Sequence, residues 1–243
     1  MKLVSQIALV FALALPVAAG AQQMQPLAPA GEAPATFPAP DRPVAGIVSH
    51  TWWTEQNRDA ADEAGQLTRL MELKPGMTVA DIGAGSGYDS VRLSPVVGDT
   101  GRIIAEDIMP EYLAMLDKTA KEKNLQNITL ALGDPHDPRL QPGSIDAALM
   151  VHMYHEIEQP YAFLHNLAPA LKPGAKVGVV DLDRPTENHG TPPALLKCEF
   201  EAVGYTQTAM HQLEGNIGYL AVFAPPAEGA RPAPSAIKAC NAG

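Results

Sequence analysis

Residues 79–88 read VADIGAGSGY, three glycines alternating with other residues directly after a short apolar run. A bend this poor in side chains lets the backbone turn tightly and come close to a ligand. The dinucleotide fingerprint G-x-G-x-x-G aims a helix N-terminus at a pyrophosphate. Here the spacing is G-x-G-x-G, formed by Gly83, Gly85 and Gly87, and Asp81 stands two residues ahead of the first glycine. A carboxylate at that place is unfavourable for a pyrophosphate and favourable for a cationic ligand.

S-adenosylmethionine carries an ammonium and a sulfonium and has no phosphate, so the charge logic favours it. A second acid is expected about 20 residues on, at the end of the next strand, to hold ribose hydroxyls. Asp107 lies 20 residues after Gly87 and Glu106 lies 19 after. Side chains alternate along a strand, so only one of the two is expected to serve. Asp107 is preferred as the strand-end residue, with Glu106 as the fallback.

A second cluster follows the fourth apolar run, in Val151-His152-Met153-Tyr154-His155-Glu156. Methyl transfer is an in-line displacement at carbon, for which the protein supplies alignment and exclusion of water. If the acceptor is a hydroxyl or ammonium, a base must take its proton, and histidine titrates in the useful range. His155 is the first candidate base and His152 the second. His152, His155, Glu156 and His136 match no strong zinc signature, so no metal is assigned. Trp52 and Trp53 are candidates to cap the pocket or to pack on the domain edge.

These groups sit in a chain of 243 residues with a formal charge of -10 and aromatics at only 5%. That acidity argues against a general nucleic-acid binder and against a polybasic membrane-surface protein. Cys198 and Cys240, 42 apart, cannot build a disulfide framework, although a single bridge is allowed. Lys2, the apolar run Ile7–Leu15, Pro16 and the small residues Ala19-Gly20-Ala21 read as a secretory signal peptide cut after Ala21. The expected location is periplasmic or secreted, without stable membrane insertion after cleavage. Residues 22–45 read as a Pro/Ala-rich linker and 225–243 as a similar tail, leaving a folded domain over 46–224.

Within it, Ala60, Ala64, Leu67 and Met71 share one helical face. Strands are expected at 78–82, 102–106, 128–132, 145–150 and 176–181, separated by helices, one of which Pro169 should shorten. This pattern demands a parallel sheet covered on both faces. Residues 205–210 and 217–223 have no helix between them and should form an antiparallel hairpin.

The segments VADIGAGSGY, GRIIAEDIMPEYL, LALGDP, SIDAALMV and LKPGAKVGVVD resemble, in this order, class I S-adenosylmethionine-dependent methyltransferases, and among them the signal-bearing exported proteins of bacteria. The resemblance covers roughly residues 58–224. It implies a doubly wound α/β fold with seven strands in the order 3-2-1-4-5-7-6. It also implies that Asp81, Gly83, Gly85 and Gly87 line the methionine end, that Asp107 binds the ribose and that Asp134 meets the adenine amino group. Ala175, where a second glycine is common, and Pro169 depart from the pattern. The expected activity is methyl transfer to a small-molecule acceptor. The other reading is a non-catalytic module binding a nucleoside-type ligand or a partner.

Overall fold

The computed structural model describes residues 24–47, 54–227 and 229–241. The signal-like segment 1–21 with its cut after Ala21, and Trp52 and Trp53, lie outside these residues. Seven strands form one sheet: β1 (Thr78–Ile82), β2 (Arg102–Asp107), β3 (Ile128–Leu132), β4 (Ile145–Val151), β5 (Leu171–Asp181), β6 (Thr206–Gln212) and β7 (Tyr219–Ala224). Their order is β3-β2-β1-β4-β5-β7-β6. β1 to β5 pair in parallel, while β7 runs antiparallel to both β5 and β6.

Alternate residues of the central strands feed two separate apolar layers, which is why the runs look uniformly apolar. Ala80, Ile104, Ala148 and Met150 enter one layer. Val79, Ile103, Ala105, Ala147 and Leu149 enter the other. The order reverses at β1, where β2 lies on one side and β4 on the other, and open α/β sheets bind ligands in that crevice.

The helices are α1 (Glu55–Ala60), α2 (Glu63–Leu70), α3 (Tyr88–Val97), α4 (Pro110–Glu122), α5 (Pro160–Leu167) and α6 (Pro193–Ala202). The single helical face expected from Ala60 to Met71 is two helices. Asp62 takes a left-handed backbone between them, so Ala60 ends exposed while Leu67 and Met71 are buried. Pro169 ends α5 as expected, in a 3-10 turn that leads straight into β5.

The Pro-rich ends depart furthest from expectation. Residues 24–45, read as a linker with little to bury, pack on the domain. The Leu27 amide donates to the Arg139 carbonyl at 3.0 Å, and Phe37 is buried edge-on to His165. The Arg42 guanidinium donates to the buried Glu199 carboxylate at 2.8 Å. An extended proline-rich chain needs no internal hydrogen bonds, so a few anchors suffice to seat it.

The tail is seated in the same way by Ile237 and by a disulfide between Cys198 and Cys240. Closing a loop of this length constrains the unfolded chain by about 2–4 kcal/mol. Cys198→Ser/Cys240→Ser is therefore expected to lose that much unfolding free energy and to unfold at a lower denaturant concentration. Equal midpoints for the variant and the oxidised protein would contradict it.

Candidate active site

A cavity of about 520 Å³ opens above the carboxyl ends of β1, β2, β4 and β5, within the range of small-ligand sites. Gly83, Gly85, Glu106, Asp107, Asp134, His152 and His155 all line it. Most of the residues singled out by sequence are thus brought together by one crevice.

The glycine loop leaves β1 with left-handed backbone at Gly83 (φ 65°), Gly85 (φ 54°) and Gly87 (φ 93°). A Cβ on Gly83 would stand 2.8 Å from Met153 Cγ, too close to be accepted without movement. Gly87 is the residue just before α3 and lies against Leu116 rather than on the cavity wall. Its conformation is needed, but for packing.

Asp81 does not reach the cavity either. Its carboxylate is buried under the loop and accepts the Ser90 hydroxyl at 2.6 Å. The alternation of β1 turns it toward α3. Burial, with the nearby Asp89 charge, pushes its carboxyl up to about 7. The unfolded value is near 4, so between roughly pH 4 and 7 the folded chain keeps a proton that the unfolded chain has lost. Stability must fall as pH rises through that window. Asp81→Asn is expected to lose this part of the decline, and identical slopes of melting temperature against pH in both proteins would refute it.

At the glycine-loop end the cavity wall carries Asp89, Glu106 and Asp107. Only one of Glu106 and Asp107 was expected to serve. Both line the wall, because β2 ends at Asp107 and the chain turns there. Asp107 accepts the amides of Gly85 and Met109, each at 2.8 Å, which ties the glycine loop to β2. Burial raises its carboxyl against those amides. Burial and the neighbouring Asp107 hold Glu106 well above the usual range, and its Oε1 is buried without a partner. Asp134 lies at the edge of the cavity, its carboxylate accepting Arg139 Nη1 at 2.7 Å.

Sequence reasoning missed Arg58. Its guanidinium lies 3.5 Å from the centroid of the Tyr88 ring and pairs with Glu63 and with Asp89, the latter at 2.7 Å. Burial alone would lower Arg58, but Asp89 and Glu63 outweigh it and hold it raised. Burial likewise would raise Glu63, and His152 and Arg58 outweigh it and lower it. Nothing in the spacing of α1 and α2 marks these residues, since Arg58 reaches Asp89 only through tertiary contact.

At the other end stand the two histidines, each backed by an acid. His152 Nε2 lies 3.3 Å from Glu63 Oε2. His155 is buried, with Nδ1 at 3.0 and 3.1 Å from the two Asp181 oxygens and Nε2 lacking a partner. Asp181 is the last residue of β5 and fully buried. It also accepts Thr191 Oγ1 at 2.7 Å. Its place at a strand end was a readable signal. His189 completes this end, its ring edge-on to His155 at 5.4 Å between centroids. His136, once grouped with the other histidines, is not among the cavity residues.

Strand order, a glycine loop at the reversal point and acids at the next strand end define the class I S-adenosylmethionine-dependent methyltransferase architecture. Residues 79–174 match the family model described as a methyltransferase domain. It resembles a S-adenosylmethionine-dependent methyltransferase of Aquifex aeolicus (20% identity, 70% of this chain and 97% of that one, TM-score 0.61). It also resembles a possible exported protein of Bordetella parapertussis (17% identity, 70% and 68%, TM-score 0.56). These likenesses show the fold. Among curated relatives, the protein-L-isoaspartate O-methyltransferase of Fervidobacterium nodosum is 34% identical over 79 residues, 32% of this chain and 40% of that protein. The chain spans between about a third and a half of the length of the curated relatives it first matches.

Proposed function

We propose that this protein transfers the methyl group of S-adenosylmethionine to a small acceptor, and that it does so in the periplasm or outside the cell. The observation that carries the reading is the polarity of one cavity. One end is a glycine loop ringed by Asp89, Glu106 and Asp107 over the buried Asp81. The other is a buried histidine whose free nitrogen is oriented by Asp181.

Asp89 is already paired with Arg58 and burial favours the neutral form of Glu106, so Asp107 is the carboxylate that this end offers to a sulfonium or an ammonium. Asp107 can accept ribose hydroxyls in addition to its two amides, since a carboxylate offers about four acceptor positions. With Nδ1 donating to the Asp181 carboxylate, Nε2 of this cavity-lining ring keeps its lone pair. An acceptor hydroxyl or amine placed there gives up its proton to Nε2 as the methyl carbon is attacked. His152, a quarter exposed and held by Glu63, is the second candidate for that task.

Export rests on the signal-like first 21 residues and on the Cys198–Cys240 disulfide, which persists in oxidising compartments. Among the described residues no helix is long and apolar enough to cross a membrane.

The test is calorimetry with S-adenosylhomocysteine, followed by an assay of S-adenosylhomocysteine release from the methyl donor with a panel of phenol, thiol and amine acceptors. Stoichiometric donor-site binding with acceptor-dependent release is expected. Binding without release across the panel would favour a ligand-holding module, and no binding by folded protein would end the proposal.

A further inference from the structure

His155 Nε2 is an unpartnered nitrogen on a side chain only 2% exposed, in a residue that lines the cavity. The far side of the ring is already fixed. Asp181 takes Nδ1 while being held in turn by Thr191 Oγ1 at 2.7 Å and the Leu182 amide at 2.8 Å. A carboxylate that clamps one imidazole nitrogen so that the other presents its lone pair is the arrangement found behind metal-bound histidines.

Two further ligand types stand beside it. One ligand atom each from His155, Glu156 and His189 lies within 4.8 Å of the other two. His155 and Glu156 share the 3-10 turn Tyr154–Glu156 after β4, and His189 closes the turn Thr186–Asn188 after β5. The two turns follow neighbouring parallel strands, so the sheet sets their spacing.

We infer that His155 Nε2, His189 and Glu156 form a binding site for a divalent transition-metal ion of the zinc class. Zinc–nitrogen bonds of about 2.0–2.1 Å place tetrahedral ligand atoms roughly 3.4 Å apart. From the present separations the site closes with shifts on the order of 1 Å, which partly exposed Glu156 and His189 can make by side-chain rotation. Two imidazoles and one carboxylate select zinc, cobalt, nickel or copper over magnesium and calcium, which prefer all-oxygen ligands. Three protein ligands leave a coordination position open to the cavity.

What the ion does there rests on the proposed acceptor position. An oxygen or sulfur acceptor bound to it would lose its proton more readily. Nε2 cannot hold both the ion and that proton, so the metal-loaded and metal-free proteins would activate an acceptor differently. The binding itself rests on neither point.

The experiment uses the full chain stripped with a chelator and no methyl donor. Zn²⁺ is titrated by calorimetry and Co²⁺ by visible absorption. One equivalent, a micromolar or tighter Kd, and intense cobalt bands of a four- or five-coordinate site are expected. His189→Ala and Glu156→Gln should each weaken Zn²⁺ at least about 100-fold, and Asp181→Asn about 10–100-fold, the scale for a residue that orients a ligand. Millimolar Mg²⁺ should not compete.

Affinity unchanged in both His189→Ala and Glu156→Gln, or weak octahedral cobalt spectra, would overturn the site. Glu156→Gln alters a partly exposed group and keeps the test usable if His189→Ala fails to fold. S-adenosylhomocysteine binding is measured on the same samples. In the unsubstituted chain, S-adenosylhomocysteine binding without Zn²⁺ binding overturns only the metal site, and the reverse overturns only the methyl-transfer reading.

Discussion

Gly85→Arg is expected to raise the Kd for S-adenosylhomocysteine at least about 100-fold while leaving the sheet folded. Gly85 lines the cavity with φ 54°, and its amide donates to Asp107 at 2.8 Å. An arginine there fills the space where the backbone must approach the ligand. It also places a second cation, after Arg58, beside Asp107, opposing a sulfonium donor.

The left-handed backbone costs a residue with a Cβ about 1–2 kcal/mol. A fall in melting temperature of roughly 2–8 °C should accompany the loss. A factor of 100 in Kd corresponds to about 2.7 kcal/mol of binding free energy, so the two effects are separable by calorimetry and thermal melts on one sample. Native affinity in a folded Gly85→Arg protein would show that the ligand does not use this loop.

His155→Ala is expected to lower kcat about 10²–10⁴-fold, the usual contribution of a positioned general base, with S-adenosylhomocysteine affinity changed no more than a few-fold. The separation follows from geometry, since the glycine loop and Asp107 stand on β1 and β2 while His155 follows β4. Removing the ring also deprives the buried Asp181 of a donor, at a cost of about 1–3 kcal/mol in stability. Rates must therefore be referred to folded protein.

His152→Ala should do less, because its ring is a quarter exposed and its contact to Glu63 is longer, at 3.3 Å. A large loss of donor affinity in His155→Ala would place this residue on the cofactor instead. A larger loss of kcat in His152→Ala would exchange the roles of the two.

The architecture was readable because each strand that passes through the middle of the sheet must be apolar on both faces. The runs at 78–82 and 145–150 coincide with β1 and most of β4 for that reason. The helix break at Asp62 was not readable, because the 3.6-residue period continues across it. It took a left-handed residue to offset α1 from α2. Composition misread the ends as loose chain. Proline content reports a lack of internal hydrogen bonds, and Leu27, Phe37 and Ile237 are too sparse to form a periodic signal, yet each finds a place on the domain.

Local chain chemistry by itself determined the glycine loop, the acid at the end of β2 and the histidines after β4. Each is fixed by backbone conformation or by position at a strand end, properties a contiguous segment carries. Only the tertiary structure decided that Asp81 turns inward to Ser90, that Arg58 bridges Glu63 and Asp89, and that Asp181 stands behind His155. It also closed the Cys198–Cys240 bridge and set His189 beside His155. These relations join residues 5 to 42 positions apart, most of them on different elements. Their energies come from burial and pairing, which exist only once the sheet has brought the chain ends of β1, β4 and β5 together.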